Sequence, residues 1–318
     1  MTFTPRPARS QPLPAAPPPA EGAPTAVGQP QPFPLVLGIF DLSGVQTFPA
    51  IVAGTSATMS STFITGRVAP VFRVSSKLYL SVPLDGSVSF YDFGGRDPGL
   101  LPGGGVPWDQ VRTYAIGLQG RYRIDEHWVL LGEANMASAG ARGAAFDDTL
   151  SFGGTFGARY QFGPELNIGL LLTVQTRLAR SLFILPVPTF EWVLPFDEGR
   201  WRLVGGGLRI GPGRTAGVGL AYSPIPQLSL HTGLVLVGLG REFRLPSDSP
   251  VKDGVGRDSA LPLLVGVDWR PIKLLHFSLW GGVSVQRVIG VLDKDGNIVQ
   301  ERDVNPAPLL GGTISLGL

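Results

Sequence analysis

Two histidines and one aspartate could form a polar cluster inside the folded chain. His231 and His276 each follow a Pro-containing turn, and the alternation of polar and apolar residues puts both on the polar face of a strand, together with Asp268. The turn at residues 271–273 places Asp268 opposite His276. An Asp–His pair can orient an imidazole for base catalysis, with Ser278 as the nearby hydroxyl. Because neither a nucleophile nor a metal ligand set is singled out, structural hydrogen bonding is the favoured interpretation.

The same polar face carries charge that could act on a solute. Its basic residues outnumber its acidic ones by nine to four: Arg67, Arg73, Lys77, Arg121, Arg123, Arg159, Arg177, Arg202 and Arg241 against Asp85, Glu133, Glu191 and Asp268. Basic groups along a confined path favour anionic solutes. Pairing of these charges across strands is the favoured alternative, because apolar residues such as Leu171 and Val235 share this face. The predicted lumen-lining set is Arg67, Arg121, Glu133, Arg159, Arg177, Glu191, Arg202, His231, Asp268 and His276.

Long segments of period-two alternation must position these side chains. Residues 150–162 put large apolar side chains at even positions and polar or small ones at odd positions, which is typical of a strand with one apolar face. Residues 166–177 repeat the pattern after a Gly-Pro-Glu joint, so the two segments predict a hairpin. The pattern also occupies 61–74, 77–92, 111–124, 127–138, 182–194, 200–210, 215–223, 227–243, 260–270, 274–290 and 307–318, and one more strand is expected within 34–57.

Strand length and connection length together predict the fold class. Nearly all segments reach the about 9–11 residues that a tilted membrane strand needs, whereas soluble strands have about 5–6. Short turns alternate with longer loops, as in outer-membrane barrels. Aromatic residues lie close to the short turns: Tyr122, Trp128, Tyr160, Phe162, Trp192, Trp201, Tyr222 and Trp269. We predict an all-β fold, a closed antiparallel transmembrane β-barrel of about 14 strands, with 12 as the alternative.

The composition argues against other classes. Charged residues make up 16% of the chain and apolar residues 43%, which is too little charge to coat a soluble surface of this size. The 44 glycines and 30 prolines disfavour helices, and the absence of cysteine excludes disulfides and thiolate metal sites. Basic residues are dispersed, so no nucleic-acid partner is expected.

The first residues differ in composition from the rest. Residues 1–34 contain 11 prolines and are predicted to be a disordered, Pro-rich periplasmic spacer before a barrel of residues 35–318. Met1 to Arg9 has no apolar segment of a signal peptide. If the chain is exported, we expect this numbering to start after the signal or at a misassigned start codon.

Two stretches carry a resemblance to a known family. Leu185-Pro186-Val187-Pro188 is followed by Phe190-Glu191-Trp192, and a last strand with apolar alternation runs from Ala307 to Leu318. These stretches resemble bacterial outer-membrane β-barrel proteins and, more narrowly, an uncharacterised family of such barrels. The resemblance implies an outer-membrane location, contact with outer-membrane lipid, and recognition of the last strand by the barrel-assembly machinery. The chain departs from the family by ending in Leu318 where an aromatic residue is usual. The resemblance implies no activity and no cofactor.

The remaining motifs indicate turns. The glycine clusters at 103–105 and 211–214 lack the strand-to-helix context of a phosphate-binding loop, and residues 293–297 lack the Gly and Glu spacing of a calcium loop. We therefore predict no catalytic residue, metal or cofactor. The leading functional hypothesis is porin-like passage or binding of small, anionic or amphipathic solutes. A barrel-embedded hydrolase and a structural or adhesive barrel are the alternatives.

Overall fold

A computed structural model describes residues 35–94, 97–179, 182–208, 215–237 and 241–317. The predicted spacer at 1–34, the glycine turn at 211–214 and the final Leu318 lie outside these residues. The described strands are β1 (Leu35–Ile51), β2 (Thr58–Arg73), β3 (Leu78–Ser81), β4 (Leu84–Asp92), β5 (Gln110–Arg123), β6 (Trp128–Ala141), β7 (Leu150–Gln161), β8 (Leu166–Thr176), β9 (Leu182–Val193), β10 (Trp201–Leu208), β11 (Thr215–Ile225), β12 (Leu228–Val237), β13 (Arg241–Arg244), β14 (Val255–Ile272), β15 (Leu275–Leu292), β16 (Ile298–Val304) and β17 (Ala307–Gly317). In the described ranges, the only helical turns are short 3-10 turns at Phe146–Thr149 and Asp197–Gly199. None of the helices in those ranges has the length and apolar character that crossing a membrane requires.

The strands form one closed antiparallel ring. Wall strands pair in chain order, and β1 joins β2 on one side and β17 on the other, which closes the sheet. The ring has fourteen wall strands, with β3 and β4 counted as one interrupted strand. β16 continues β17 along β15 in the same register, and β13 pairs with the N-terminal end of β14 beyond β12, so neither adds a wall strand. The predicted transmembrane barrel of 14 strands is confirmed, and the strand expected within 34–57 is β1.

Alternation decides which face of each strand points outwards. Leu170 of β8 is 56% exposed on the outer wall, whereas Trp280 of β15 is 2% exposed inside the barrel. Near the short turns the outer wall is aromatic: Tyr160 packs edge to face against Trp128 and Phe162, with ring centroids 4.9 and 4.6 Å away. An apolar exterior with an aromatic belt is the surface that a barrel presents to lipid.

Residues 77–92 form two strands rather than the single strand predicted. Pro83 has no N–H to donate, so regular pairing stops between β3 and β4. Backbone hydrogen bonds to both neighbouring strands are kept at the break. The N–H of Val82 donates to the carbonyl of Pro70 at 3.2 Å, and the N–H of Gly117 donates to the carbonyl of Pro83 at 3.0 Å. The register is the same on both sides of the break, so the wall is continuous there.

One carboxylate holds the short turn between β5 and β6. Asp125 Oδ1 accepts hydrogen bonds from the backbone N–H groups of Trp128 at 2.7 Å and His127 at 2.8 Å. These two bonds stabilise the charged form and lower the pKa of Asp125 below its ordinary value of 3.8.

We expect Asp125→Ala to speed hydrogen exchange at the His127 and Trp128 amides severalfold, and Asp125→Asn to preserve most of their protection because its side-chain oxygen still accepts. In the unmodified protein this contribution is fully present above pH 3.8 and is lost as the pH falls through the lowered pKa. Hydrogen exchange measured above and below that pH tests both points. Equal exchange in the alanine variant and the parent would contradict the assignment.

The longer loops pack together at the opposite end of the barrel, which we call the long-loop end. Trp108 packs edge to face against Phe243 and Phe93, with centroid distances of 4.9 and 5.8 Å. The core that these rings belong to also buries Val52, Ala57, Met59, Leu100, Val111, Leu245, Ile289, Val291 and Val304. These loops therefore have a hydrophobic core of their own.

One loop spans the barrel mouth at the long-loop end. β13 pairs with β14, and its Arg244 also pairs with Gly140 of β6, which lies on the opposite side of the ring. Residues 241–254, here called the inward segment, thus contact two opposite walls. The strand predicted over 227–243 is described as β12 up to Val237 and as β13 from Arg241, and residues 238–240 lie outside the described residues.

Polar contacts anchor the inward segment. The guanidinium of Arg244 donates to the backbone carbonyls of Asp148, Leu178 and Asp253. The neighbouring Glu242 forms an ion pair with Arg177 at the end of β8, at 3.5 Å. Because these contacts reach several loops, the segment is fixed across the mouth rather than folded over one edge.

Candidate functional site

Several predicted lumen residues are brought together as ion pairs. The pairs are Arg67–Asp85 at 3.4 Å, Arg177–Glu242 at 3.5 Å and Arg202–Glu191 at 3.5 Å. Each joins neighbouring strands or a strand and the inward segment. These charges neutralise one another, as the pairing interpretation of the sequence expects.

A basic group lies nearer the short-turn end. The register sets Arg123 and Arg159 on either side of one inward-facing residue of β6, and Arg121 lies in the next inward row. Among the described residues, none of these three guanidinium groups takes part in an ion pair. Glu133 lines the same lumen recess as Arg121, with a volume of about 370 Å³, and accepts a hydrogen bond from Gln119 at 2.8 Å. Arg121 and Glu133 balance each other in the lining of the recess, so the positive excess of the basic group lies with Arg123 and Arg159.

Asp268 lies between two imidazoles further along the lumen wall. Its Oδ2 is 3.5 Å from His231 Nδ1, and its Oδ1 is 3.3 Å from His276 Nε2. All three side chains are largely shielded from solvent. A Cβ atom at Gly266 would collide with the imidazole of His231, so glycine is required beneath it. The structure thus brings together His231, Asp268 and His276.

Among the described residues, neither imidazole of this cluster has a hydrogen bond to a hydroxyl that could act as a nucleophile. The Oγ of the nearby Ser278 is buried, and no hydrogen bond joins it to either imidazole within the described part of the chain. Hydrolysis by an Asp–His pair requires the base to reach a nucleophile. The described ranges also contain no group of three or more acidic or histidine side chains suited to a metal ion. The arrangement is that of a buried hydrogen-bonding cluster.

An apolar layer lies beside the histidine cluster. Val235, Leu264, Trp280 and Leu309 are buried together from four neighbouring wall strands. The indole of Trp280 occupies space that a Cβ atom at Gly311 would fill. Its Nε1–H has no acceptor in the described part of the chain. The layer therefore combines an apolar surface with one unsatisfied donor.

A buried ionic network lies towards the long-loop end. Arg287 donates to both carboxylate oxygens of Asp258, at 2.9 and 2.7 Å, and also to Ser61 Oγ at 3.0 Å. The phenol of Tyr91 donates to Asp258 at 3.1 Å from across the barrel. The bidentate pair satisfies both charged groups, with Tyr91 as a further donor to Asp258 and Ser61 as a further acceptor from Arg287.

Sequence alternation missed this network for a local reason. A β-bulge near Val285 places two residues of β15 against one of β14, so side-chain parity changes there. Counting alternately from His276 therefore assigns Arg287 to the outer face, whereas the structure buries it. Asp258 lies in residues 244–259, which the pattern predicted as loop. In the structure Asp258 is the fourth residue of β14, and the alternation pattern did not indicate that this strand begins as early as Val255.

A cavity of about 60 Å³ lies between the network and the apolar layer. Arg241, the first residue of the inward segment, borders it and donates to Ser89 Oγ at 2.6 Å. The guanidinium of Arg241 also lies over the ring of Phe63, 3.6 Å from its centroid. The cavity therefore has a polar, cationic side and an apolar side that includes Leu264 and Trp280.

Comparison with known proteins supports the fold. No protein-family model matches the chain, and no curated protein matches it. An outer-membrane channel from Pseudomonas putida F1 aligns over 92% of this chain and 100% of that chain, with 9% identity and a TM-score of 0.49. A deletion mutant of TodX, a monoaromatic hydrocarbon channel, aligns over 88% and 90%, with 11% identity and a TM-score of 0.51.

These similarities establish architecture rather than activity. The conclusion rests on the TodX mutant, whose TM-score is above 0.5. At 11% identity, side chains at a site cannot be carried from one chain to the other. The chain has the fold of an outer-membrane barrel channel.

Proposed function

We propose that this protein is an outer-membrane β-barrel that passes small, anionic or amphipathic solutes through its lumen. The observation that carries the proposal is the basic group Arg121, Arg123 and Arg159 on the lumen face, which forms no ion pair with any described residue. Positive charge in a confined, low-dielectric path attracts anions and repels cations. The apolar layer with Trp280 supports an amphipathic solute, and the likeness to a hydrocarbon channel agrees with it.

The orientation and partners follow from the same proposal. The apolar outer wall contacts outer-membrane lipid, the long-loop end faces the exterior, and residues 1–34 form a periplasmic spacer. β17 pairs with β1 to close the ring. As the last strand of the barrel, it is also the element that the barrel-assembly machinery would recognise.

Removal of the basic group is expected to reduce anion selectivity. Protein reconstituted in a planar bilayer under asymmetric KCl should show openings whose reversal potential favours chloride. These openings are expected to be brief, because the inward segment spans the mouth. In the double variant Arg121→Gln and Arg159→Gln, the chloride-to-potassium permeability ratio should fall towards one, since two lumen cations are lost.

The matched control removes equal charge away from the lumen. Arg142→Gln with Lys294→Gln changes two exposed cations in loops and should leave the reversal potential unchanged. An unchanged potential in the lumen variant, or silence from the parent and from a variant with a shortened inward segment alike, would refute the proposal.

A further inference from the structure

We propose that the cavity beneath the inward segment is a binding site for a short-chain aliphatic monocarboxylate, with Arg241 as the carboxylate-binding residue. This inference rests on the proposed function and identifies the class of solute that the lumen holds. It is carried by three properties of the cavity: its charge, its unsatisfied donors and its size.

The charge around the cavity favours one anion. Its charged lining residues are Arg241, Asp258 and Arg287, so the local net charge is one positive unit. Asp258 is already engaged by Arg287 through two hydrogen bonds. The charge of Arg241 is therefore the one left to bind a ligand, and a single carboxylate neutralises the site.

Two side chains on the lining have N–H groups that make no hydrogen bond to the described residues. Arg241 carries five N–H groups and makes one hydrogen bond in the described part of the chain, to Ser89. The Nε1–H of Trp280 makes none among the described residues, although the side chain is 2% exposed. A buried donor without a partner is costly, so a ligand with an acceptor oxygen gains from satisfying the Trp280 N–H. Arg241 is half-buried and adds charge-assisted hydrogen bonds to a carboxylate.

The remaining lining sets the size and polarity of the rest of the ligand. Val45, Val235, Leu264 and Leu309 give one side of the cavity an apolar surface. A volume of about 60 Å³ has room for about four to six groups the size of a water molecule. A carboxylate with a short unbranched or singly branched tail, such as butyrate, fits that volume, whereas a long acyl chain does not.

Calorimetric titration of the full chain in detergent micelles tests the site with butyrate as the probe. Butyrate should bind measurably, and butyramide, which has the same shape without the charge, should bind at least severalfold more weakly. Decanoate should also bind more weakly, because the cavity cannot hold its tail. In Arg241→Gln, butyrate affinity should fall by about ten- to a hundredfold, the loss expected for a charge-assisted hydrogen bond.

Two further variants separate binding from folding. Arg241→Lys keeps the charge without the planar fork and should retain intermediate affinity, and Arg142→Gln removes an exposed loop cation and should bind like the parent. Circular dichroism checks that each variant is folded. Equal binding of butyrate and butyramide, or unchanged butyrate affinity in the folded Arg241→Gln protein, would overturn the site.

The two proposals fail in different ways. Anion-selective openings without butyrate binding would overturn the carboxylate site and leave the passage function standing. Butyrate binding that depends on Arg241, in a protein that never conducts, would overturn the passage function and support the site. Inorganic phosphate competing as well as butyrate would show a general anion site and overturn the assignment to carboxylates.

Discussion

Shortening the inward segment is expected to convert brief openings into long-lived conductance steps that are severalfold larger. Residues 241–254 contact β14 and, through Arg244, the opposite strand β6, so the segment spans the mouth. Phe243 and Leu245 fill the space beneath it and are almost completely buried. Hydrophobic constrictions of this kind restrict the passage of water and ions. Replacing the segment by a short Gly-Ser link, followed by single-channel recording in a planar bilayer, tests the expectation.

A milder variant tests the same expectation if the protein with the shortened segment does not fold. Phe243→Ala with Leu245→Ala keeps the backbone of the segment and its polar anchors, and should increase conductance in the same direction by a smaller amount. Asp248→Ala with Lys252→Ala changes two exposed positions of the same segment and serves as the control. If the shortened and the alanine variants both fold and both conduct like the parent, the inward segment does not restrict the path.

The wall of the barrel could be predicted because its signal is local. A strand with one face on lipid and one on the lumen alternates residue by residue, and neighbouring segments joined by short turns must pair. β1 gave the weakest signal for a physical reason: inward-facing Val45 is as apolar as outward-facing Leu42, and a bulge follows Thr47. Its existence followed only from the even strand count that a closed antiparallel ring requires.

The site was less predictable because its contacts join distant segments. Asp268 and His276 belong to one hairpin, so strand parity and a short turn were enough to place them close together on one face. The predicted register was wrong by two residues, because a register shift at the turn sets Asp268 opposite Ser278 rather than His276. Tyr91 and Asp258 are 167 positions apart, and nothing local indicates their hydrogen bond. Arg287 required knowledge of a bulge. Strand parity predicted Arg241 on the lumen face, but its contact with Ser89 and the cavity depends on where β13 lies. In each case a departure from regular strand geometry decided the position.

The largest effect on stability is expected from Asp258→Ala. The side chains of Arg287 and Asp258 are only 5% and 10% exposed, so the substitution leaves a guanidinium buried without its counter-ion and removes the acceptor of Tyr91. Breaking a buried pair from one side costs about 3–5 kcal/mol, because the remaining charge is desolvated without compensation. Equilibrium urea unfolding in lipid vesicles should therefore show a clear loss of unfolding free energy.

Two further variants test whether the cost arises from the uncompensated charge of Arg287 rather than from the loss of one side chain. Asp258→Leu with Arg287→Met removes both charges and should recover most of the lost stability, since replacing a whole buried pair by apolar groups is often neutral. Asp109→Ala breaks the exposed pair with Arg142, whose side chains are 56% and 68% exposed, and should cost about 0–1 kcal/mol. If Asp258→Ala unfolds like Asp109→Ala, the network is not buried as the structure places it. If the double variant is as unstable as the single one, shape rather than charge determines the stability of the long-loop end.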